Sequence, residues 1–227
     1  MTIVTDSKLV AMQRLQQASP HYTHHTTGEM TVEKFEKLRA KFARLYGVDD
    51  SASSKSRAKK KGFAVATLIA WLHRPGRVYF WLLASEGRGS VWTNEQLAKN
   101  SELRIKAFGG YELVHDGRSW SWRYVESHIR SLQMSIHNFV AHKKDDQLVQ
   151  LIEQIFRTAG FRLARKQAGH LIAFFRADWK RLRREPLPTV PTRMLYVRTL
   201  PNDAPTPKKR KQQHVTRNEN QTQENFI

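Results

Sequence analysis

The dipeptide Asp116-Gly117, set between two short β-rich runs, limits the fold of this chain more than any other local feature. Asp-Gly supports the positive φ angles of a two-residue hairpin turn, and the flanking runs 111–115 and 118–124 are rich in aromatic and β-branched residues. The sequence therefore predicts an antiparallel hairpin. Its predicted cross-strand pairs are His115 with Arg118, Leu113 with Trp120, and Tyr111 with Trp122.

One face of this predicted hairpin gathers four aromatic side chains, those of Tyr111, Trp120, Trp122 and Tyr124. Such a face could be a stacking platform for nucleic-acid bases. Aromatic residues that alternate along a strand are more often the core side of a sheet, and we favour that interpretation. Under either interpretation, Arg118 and Arg123 are candidate phosphate contacts at the hairpin, in the manner of a wing.

A second hairpin is predicted around Pro75-Gly76, because this dipeptide separates two runs of strand-forming residues. The runs 63–72 and 77–85 are apolar on both faces. Strands of that kind are buried on both sides, so we expect them to be central in a sheet and covered by helices.

Helical periodicity accounts for much of the remaining chain. The N-terminal region predicts one helix over residues 6–18 and another that begins after the N-cap Thr31 and ends at Gly47. A short helix is expected to start at Thr93 and to run to residue 100. Three further helices are predicted near residues 129–140, 148–156 and 162–184.

These elements predict an α+β fold, a small antiparallel sheet of two hairpins packed by C-terminal helices. Residues 1–47 are interpreted as an N-terminal helical arm, and residues 48–61 as a basic flexible linker without apolar periodicity. The compact α+β domain is expected over residues 62–200. Residues 201–227 are expected to be a disordered basic and polar tail.

The placement of charge is uneven along the chain. The sequence has 39 Lys and Arg against 20 Asp and Glu, a formal net charge of +19, with eight basic and two acidic residues in the segment 161–185. A strongly basic chain favours a polyanionic partner, most often nucleic acid. The absence of cysteine excludes disulfides, thiolate zinc sites and cysteine nucleophiles.

The last predicted helix carries most of this excess charge on one side. With 100° per residue, seven cations fall within about 60° of Arg162, and the apolar residues fall on the opposite half. These cations are Arg162, Arg165, Lys166, Arg176, Lys180, Arg183 and Arg184. Gly169 and Ala173 lie inside the stripe, which makes its centre shallow. A solvated face is the ordinary alternative, but no acidic residue lies in the stripe, so we expect phosphate contacts there.

Basic residues outside this helix are candidates for further phosphate contacts. Lys59, Lys60 and Lys61 end the predicted linker, and Lys208, Lys209, Arg210 and Lys211 form a run in the tail. In a eukaryote the tail run would match a nuclear-import pattern, whereas in a bacterium it would be a basic tail. No apolar run reaches the length that a membrane-spanning helix needs, so no membrane partner is expected.

The sequence offers no catalytic motif. It lacks a Gly-x-Ser-x-Gly motif, a His-Glu-x-x-His motif and a phosphate-binding loop. His21, His24 and His25 cluster, but a metal site needs further ligands held in geometry. We therefore assign no catalytic residue, no metal and no cofactor, and favour a binding protein over an enzyme.

Three groups of stretches carry a resemblance to a known class of proteins. They are WLLASEGRG at 81–89, GYELV at 110–114 with WSWR at 120–123, and GFR at 160–162 with QAGHL at 167–171, Trp179 and YVR at 196–198. Their order resembles uncharacterised proteins of proteobacterial plasmids and integrative conjugative elements, over roughly residues 63–200. The resemblance implies a bacterial cytoplasm and a mobile element, and it leaves the activity open.

From these observations we expect a sequence-tolerant nucleic-acid-binding protein that assists replication, maintenance or DNA transfer of a mobile element. Two alternatives stay open. One is a nucleic-acid processing enzyme that uses His and Asp or Glu groups scattered in the sequence. The other is a protein-interaction subunit whose basic helix docks on an acidic protein partner.

Overall fold

A five-stranded sheet and a separate two-stranded hairpin form the β structure of the computed structural model, which describes residues 2–100 and 110–190. The large sheet has the strand order β1-β3-β4-β2-β5. Its strands are β1 (Ile3–Thr5), β2 (His24–Thr31), β3 (Ala66–Arg74), β4 (Arg77–Ala84) and β5 (Ala98–Lys99). Strand β1 runs parallel to β3, and the other pairs are antiparallel. The predicted α+β class and the β3–β4 hairpin around Pro75-Gly76 are confirmed.

The N-terminal region is part of the large sheet, which corrects the prediction of a separate helical arm over residues 1–47. Its two helices are present as α1 (Lys8–Ala18) and α2 (Val32–Tyr46), and α2 begins after Thr31 and ends at Gly47 with φ +57°. Strands β1 and β2 of the same region pair with β3 and β4. Without neighbours, the β3–β4 hairpin would expose unpaired backbone N–H and C=O groups along both of its edges, which favours aggregation. Strands β1 and β2 pair with these two edges.

The segment predicted as a flexible linker contains a helix, α3 (Ala52–Lys60). The Ser51 hydroxyl caps its first turn by accepting a hydrogen bond from the Ser54 N–H at 3.2 Å. No residue of α3 is buried. The backbone there is ordered by this cap and by polar contacts, which composition alone did not indicate.

The two faces of the large sheet have different covers. Helix α2 places Phe35 and Phe42 against Leu68, Phe80 and Leu82 on one face. On the opposite face, helix α1 packs its own buried residues against the sheet together with the second hairpin. That cluster includes Met12, Leu15, Ile69, Trp81, Leu83, Leu113 and Trp122. The sheet is therefore central and covered on both sides, as its apolar strands predict.

The second hairpin, β6 (Tyr111–His115) and β7 (Trp120–Tyr124), stands apart from the large sheet and has a different register from the predicted one. The observed pairs are His115 with Trp120, Leu113 with Trp122, and Tyr111 with Tyr124. The loop is longer than the predicted two-residue turn, because the Asp116 carboxylate accepts the N–H groups of Arg118 and Ser119 at 3.2 and 3.1 Å. Gly117 supplies the required positive φ of +87°. A shift of two residues leaves each side chain on its predicted face.

Trp122 shows that the aromatic face of this hairpin belongs to the core. Its side chain is fully buried, and its indole N–H donates to the Met12 carbonyl oxygen at 2.8 Å. Leu113 beside it is also buried, whereas Trp120 is only half-buried. Trp122 is thus unavailable for base stacking.

Three C-terminal helices form a second packing unit around their own core. They are α5 (Glu126–Ala141), α6 (Asp145–Phe156) and α7 (Arg162–Leu182). Their shared core includes Ile136, Leu148, Ile152, Leu171 and Phe175. All three were predicted from their apolar stripes.

The helix expected from Thr93 to residue 100 is wrong in its bounds. Helix α4 spans Ser90–Asn94, and β5 follows it and pairs with the start of β2. Thr93 lies inside α4, where its hydroxyl donates to the Ser90 carbonyl oxygen at 3.1 Å and does not cap a new helix. The predicted tail at 201–227, including Lys208–Lys211, lies outside the described residues. Among the described residues, no helix combines the length and apolarity needed to cross a membrane.

Replacing Trp122 with Ala should strongly destabilise the protein, because it opens a cavity and removes the hydrogen bond from the indole N–H to the Met12 carbonyl oxygen. We expect a loss of about 3–5 kcal/mol in the free energy of unfolding, measured by denaturant titration. The matched variant Trp120→Ala should cost clearly less, because Trp120 is half-buried. An equal loss in both variants would contradict the assignment of Trp122 as the core anchor.

Candidate nucleic-acid interface

The β6–β7 hairpin and the first half of α7 are joined by hydrogen bonds into one structural unit. The Leu163 N–H donates to the Ser121 hydroxyl at 3.2 Å. The Gln167 side chain accepts the Tyr124 N–H at 2.7 Å and donates to the Tyr124 carbonyl oxygen at 3.0 Å. Because the Gln167 amide completes both backbone bonds of one strand residue, the hairpin is held at a fixed position along α7.

An ion pair fastens the tip of the hairpin to the start of α7. The Arg162 guanidinium lies 2.6 Å from the Asp116 carboxylate and also donates to the Ser119 hydroxyl at 3.1 Å. The backbone N–H of Ser119, and next the Arg162 guanidinium, lower the pKa of Asp116 to about 2. The carboxylate is therefore ionised near neutral pH. Arg162, predicted as a phosphate contact, is partly neutralised at this anchor.

A groove of about 430 Å³ runs between the hairpin and α7. The hairpin contributes His115 and Arg123 to its walls, and α7 contributes Lys166 and His170. The structure thus brings the two sequence-predicted regions, the wing and the basic helix, to one site. Arg123 is half-exposed and its Nε lies 2.7 Å from a Glu112 oxygen, so it is paired within its own hairpin.

Four cations of α7 and its C-terminal end form an exposed set that we name the α7 cation surface. It consists of Lys166, Arg176, Lys180 and Arg184. No carboxylate of the described residues lies within 4.0 Å of their cationic groups. The helical rise of 1.5 Å per residue separates Lys166 from Lys180 by about 21 Å. Ala173 lies between them and is exposed, and because its side chain is small, the middle of the α7 cation surface is shallow.

Arg183 does not belong to this surface, which corrects its prediction as a phosphate contact. Helix α7 ends at Leu182, and Arg183 has an extended backbone with φ −126° that turns its side chain inward to 6% exposure. Its guanidinium makes two hydrogen bonds of 3.1 and 3.0 Å to Asp145 and stacks 4.4 Å from the centre of the Trp179 ring. Arg183 ties the end of α7 to the start of α6.

The remaining predicted cations occupy different environments. Arg165 is half-buried on α7 and has an interaction partner, and Arg118 is exposed at the hairpin tip. Lys59, Lys60 and Lys61, at the end of α3 and just after it, are all exposed, and the Lys59 ammonium donates to the His21 carbonyl oxygen at 2.9 Å. The predicted contacts Lys208, Lys209, Arg210 and Lys211 lie outside the described residues.

A cluster that sequence reasoning missed joins α5 to α7. The buried Asp178 carboxylate receives the His137 Nδ1 at 3.0 Å on one oxygen and the Arg181 guanidinium at 2.5 Å on the other. His137 remains 45% exposed and Arg181 66% exposed. The available signal was a single acidic residue at 178 on the apolar side of a basic helix. Such a residue needs a partner when it is buried.

The histidines near residue 24 do not assemble into a metal centre. The His24 Nδ1 shares a hydrogen bond of 2.9 Å with the Thr23 hydroxyl, and its ring packs edge-on against Trp92. Across the described residues 2–100 and 110–190, no group of three or more His, Asp or Glu side chains gathers in a way that could hold a metal ion.

Comparisons with known proteins give no further assignment for this arrangement. No family model, curated protein or solved structure matches the chain. The functional argument therefore depends on the geometry and charge of the hairpin and α7.

Proposed function

We propose that this protein binds nucleic acid through the phosphate backbone, with the β6–β7 hairpin and the α7 cation surface as one interface. The observation that carries the proposal is the locked junction of the two elements. The Gln167 and Arg162 contacts hold the hairpin against α7, and the groove between them opens beside Lys166. A charged surface on rigid elements binds without the cost of ordering a loop.

The chemistry of this surface favours phosphate contacts that tolerate any sequence. Lys and Arg donors bind phosphate oxygens and release counterions, whereas adenine edges are read by free amide groups of Asn or Gln. The one amide side chain in the groove, Gln167, already uses its oxygen and its nitrogen on Tyr124. Trp122 is buried, so the hairpin adds cationic residues to the interface while its central aromatic residue serves the core.

The biological setting is proposed from the resemblance described above. A backbone-binding protein of a plasmid or conjugative element would assist replication, maintenance or DNA transfer in the bacterial cytoplasm. The competing assignment for the same surface is an acidic protein partner. Nucleic acid is favoured because Lys166, Arg176 and Lys180 span about 21 Å along α7 with no carboxylate of the described residues within 4.0 Å, and a phosphate backbone offers charge continuously over such a length.

The test replaces the whole α7 cation surface at once, Lys166, Arg176, Lys180 and Arg184, each by Gln. The fold should be retained, because these side chains are exposed. Filter binding over a range of salt concentrations should show weaker binding to every sequence. The slope of log affinity against log salt should fall by up to about 3.6 on duplex and about 2.8 on single strands.

A matched control removes the same charge elsewhere. Lys34, Lys37, Lys41 and Arg44 are exposed on α2, which covers the opposite face of the large sheet. Their replacement by Gln lowers the net charge by the same amount and should change the salt slope much less. Equal effects of the two fourfold variants would mean that net charge, and not this interface, governs binding. Unchanged binding by the α7 variant would reject the interface.

A second candidate function is metal-independent RNA cleavage at His137, which the Asp178 contact favours. Asp178 holds the imidazole through Nδ1, so Nε2 is the nitrogen left for a substrate. A base oriented by a buried carboxylate is a common catalytic arrangement. In this reaction Nε2 takes the proton of the RNA 2′-hydroxyl, the 2′-oxygen bonds to phosphorus, and the departing 5′-oxygen takes a proton from water. The Arg181 guanidinium would stabilise the extra negative charge.

RNA incubated with the protein in excess chelator separates the two functions. Cleavage predicts 2′,3′-cyclic phosphate ends, no reaction at a 2′-deoxy position, and loss of activity in His137→Gln. The control His142→Gln alters an exposed histidine at the end of α5 and should remain active. Intact RNA, or equal cleavage by His137→Gln, would reject the enzymatic function and leave binding alone.

A further inference from the structure

Two histidines line the groove between the β6–β7 hairpin and α7. His115 is the last residue of β6, and His170 lies on α7, one turn after Lys166. Both histidines are exposed. Histidine is the side chain whose charge ordinarily changes between pH 5 and 8, whereas lysine and arginine stay charged over that range. The charge of this part of the interface therefore depends on pH, and that of the α7 cation surface does not.

Most of the other charged groups in the groove walls are already paired. The Asp116 carboxylate lies 2.6 Å from the Arg162 guanidinium, and the Arg123 Nε lies 2.7 Å from a Glu112 oxygen. Each of these ion pairs adds no net charge to the groove. Lys166 is the one cation of the walls that has no carboxylate of the described residues within 4.0 Å.

Acidification changes the charge of the groove mainly through these two histidines. The Ser119 N–H, and next the Arg162 guanidinium, lower the pKa of Asp116 to about 2, so this carboxylate stays ionised from pH 8 to pH 5. Among the described residues, α1, α5 and α6, which pack against the hairpin or α7, contribute no side chain to the walls. With both imidazoles neutral the walls carry one net positive charge, and with both protonated they carry three.

Both imidazoles have a nitrogen that can donate to a phosphate. The His115 Nδ1 accepts the Gly117 N–H at 3.2 Å, so the neutral ring carries its proton on Nε2. The ring packs edge-on against Trp120, and Arg118 is the further charged residue of the hairpin tip. The His170 ring makes no hydrogen bond with a described residue. A hydrogen bond to phosphate is stronger from a charged donor, so protonation should strengthen both contacts.

We propose that His115 and His170 make nucleic-acid binding by this protein proton-dependent, so that the phosphate backbone binds more tightly as the pH falls from 8 to 5. The inference rests on the proposed function, because it concerns the same interface. A bound phosphate favours the imidazolium form, and by reciprocity each added proton favours the bound phosphate. Val114 and Leu163 add apolar side chains to the walls, and a cleft of this kind focuses the field of its charges.

Binding of a fluorescent oligothymidylate to the full chain, at constant ionic strength between pH 8 and pH 5.5, tests this inference. Thymine does not titrate in that range, so a change in affinity reports on the protein. The affinity should rise about tenfold on acidification, as two further surface ion pairs form. The slope of log affinity against log salt should become steeper by up to about 1.4, because two more phosphates of a single strand are neutralised.

A double variant separates the groove histidines from the others in the chain, which acidification also charges. His115→Gln with His170→Gln should lose most of the rise in affinity and most of the change in salt slope. The matched control, His21→Gln with His142→Gln, alters two exposed histidines outside the groove and should keep both effects. The ratio of the affinities at pH 5.5 and pH 8 is compared for each protein, so a difference between proteins at pH 8 does not enter.

Calorimetry of the unaltered protein gives a second measurement, which does not depend on whether a variant folds. Titration at pH 6.5 in two buffers of different ionisation enthalpy should show a net uptake of up to about two protons on binding. Binding without proton uptake, or an equal rise in affinity in the double variant, would overturn this inference and leave the proposed function in place. Absence of binding at both pH values would reject the proposed function, and this inference with it.

Discussion

The burial of Trp122 is the contact on which the arrangement of this protein depends. Its indole reaches from the β6–β7 hairpin to the Met12 carbonyl of α1, which itself lies on the large sheet. The ring also packs 6.4 Å from Phe161, at the entry to α7. One side chain therefore connects the sheet, the hairpin and the C-terminal helices, and the position of α7 relative to the sheet follows from it.

Charge is divided in this protein between anchoring and free groups. The carboxylates of Asp116, Asp145 and Asp178 each hold an arginine of the α7 region in place. The α7 cation surface has no such partners among the described residues. The few acidic residues near α7 thus fix the helix to its neighbours and leave one side of it positively charged. On an ordinary solvated helix, by contrast, acidic and basic residues alternate and pair with each other along the exposed face.

Local patterns gave the fold class and most helices and strands. Thr31 and Gly47 mark the ends of α2, and the apolar stripes of α5, α6 and α7 are visible in the sequence. The sequence did not indicate pairing between distant segments. Strand β2 is polar and has no strand pattern of its own, and it is a strand because it pairs with β4. A short local signal was also overlooked, the Ser51 cap of α3.

The candidate site was predictable in its elements and less so in its residues. Wheel angles place Lys166, Arg176 and Lys180 on one side, and the structure agrees. The same angles fail for Arg183, because the helix ends one residue before it and the side chain turns toward Asp145. The hairpin register failed because the Asp116 side chain, and not the Asp-Gly backbone preference, sets the loop. A tertiary partner decides the position of Arg183, and a local side-chain contact decides the hairpin loop.

Photo-cross-linking tests most directly whether the hairpin and α7 act as one interface. The unaltered protein would be bound to single- and double-stranded nucleic acid that carries photoreactive bases, and the linked peptides would be mapped by mass spectrometry. The account predicts links to residues 111–124 and 162–184 in the same complexes. Links confined to α2, on the opposite face of the large sheet, or to one of the two elements without the other, would contradict it.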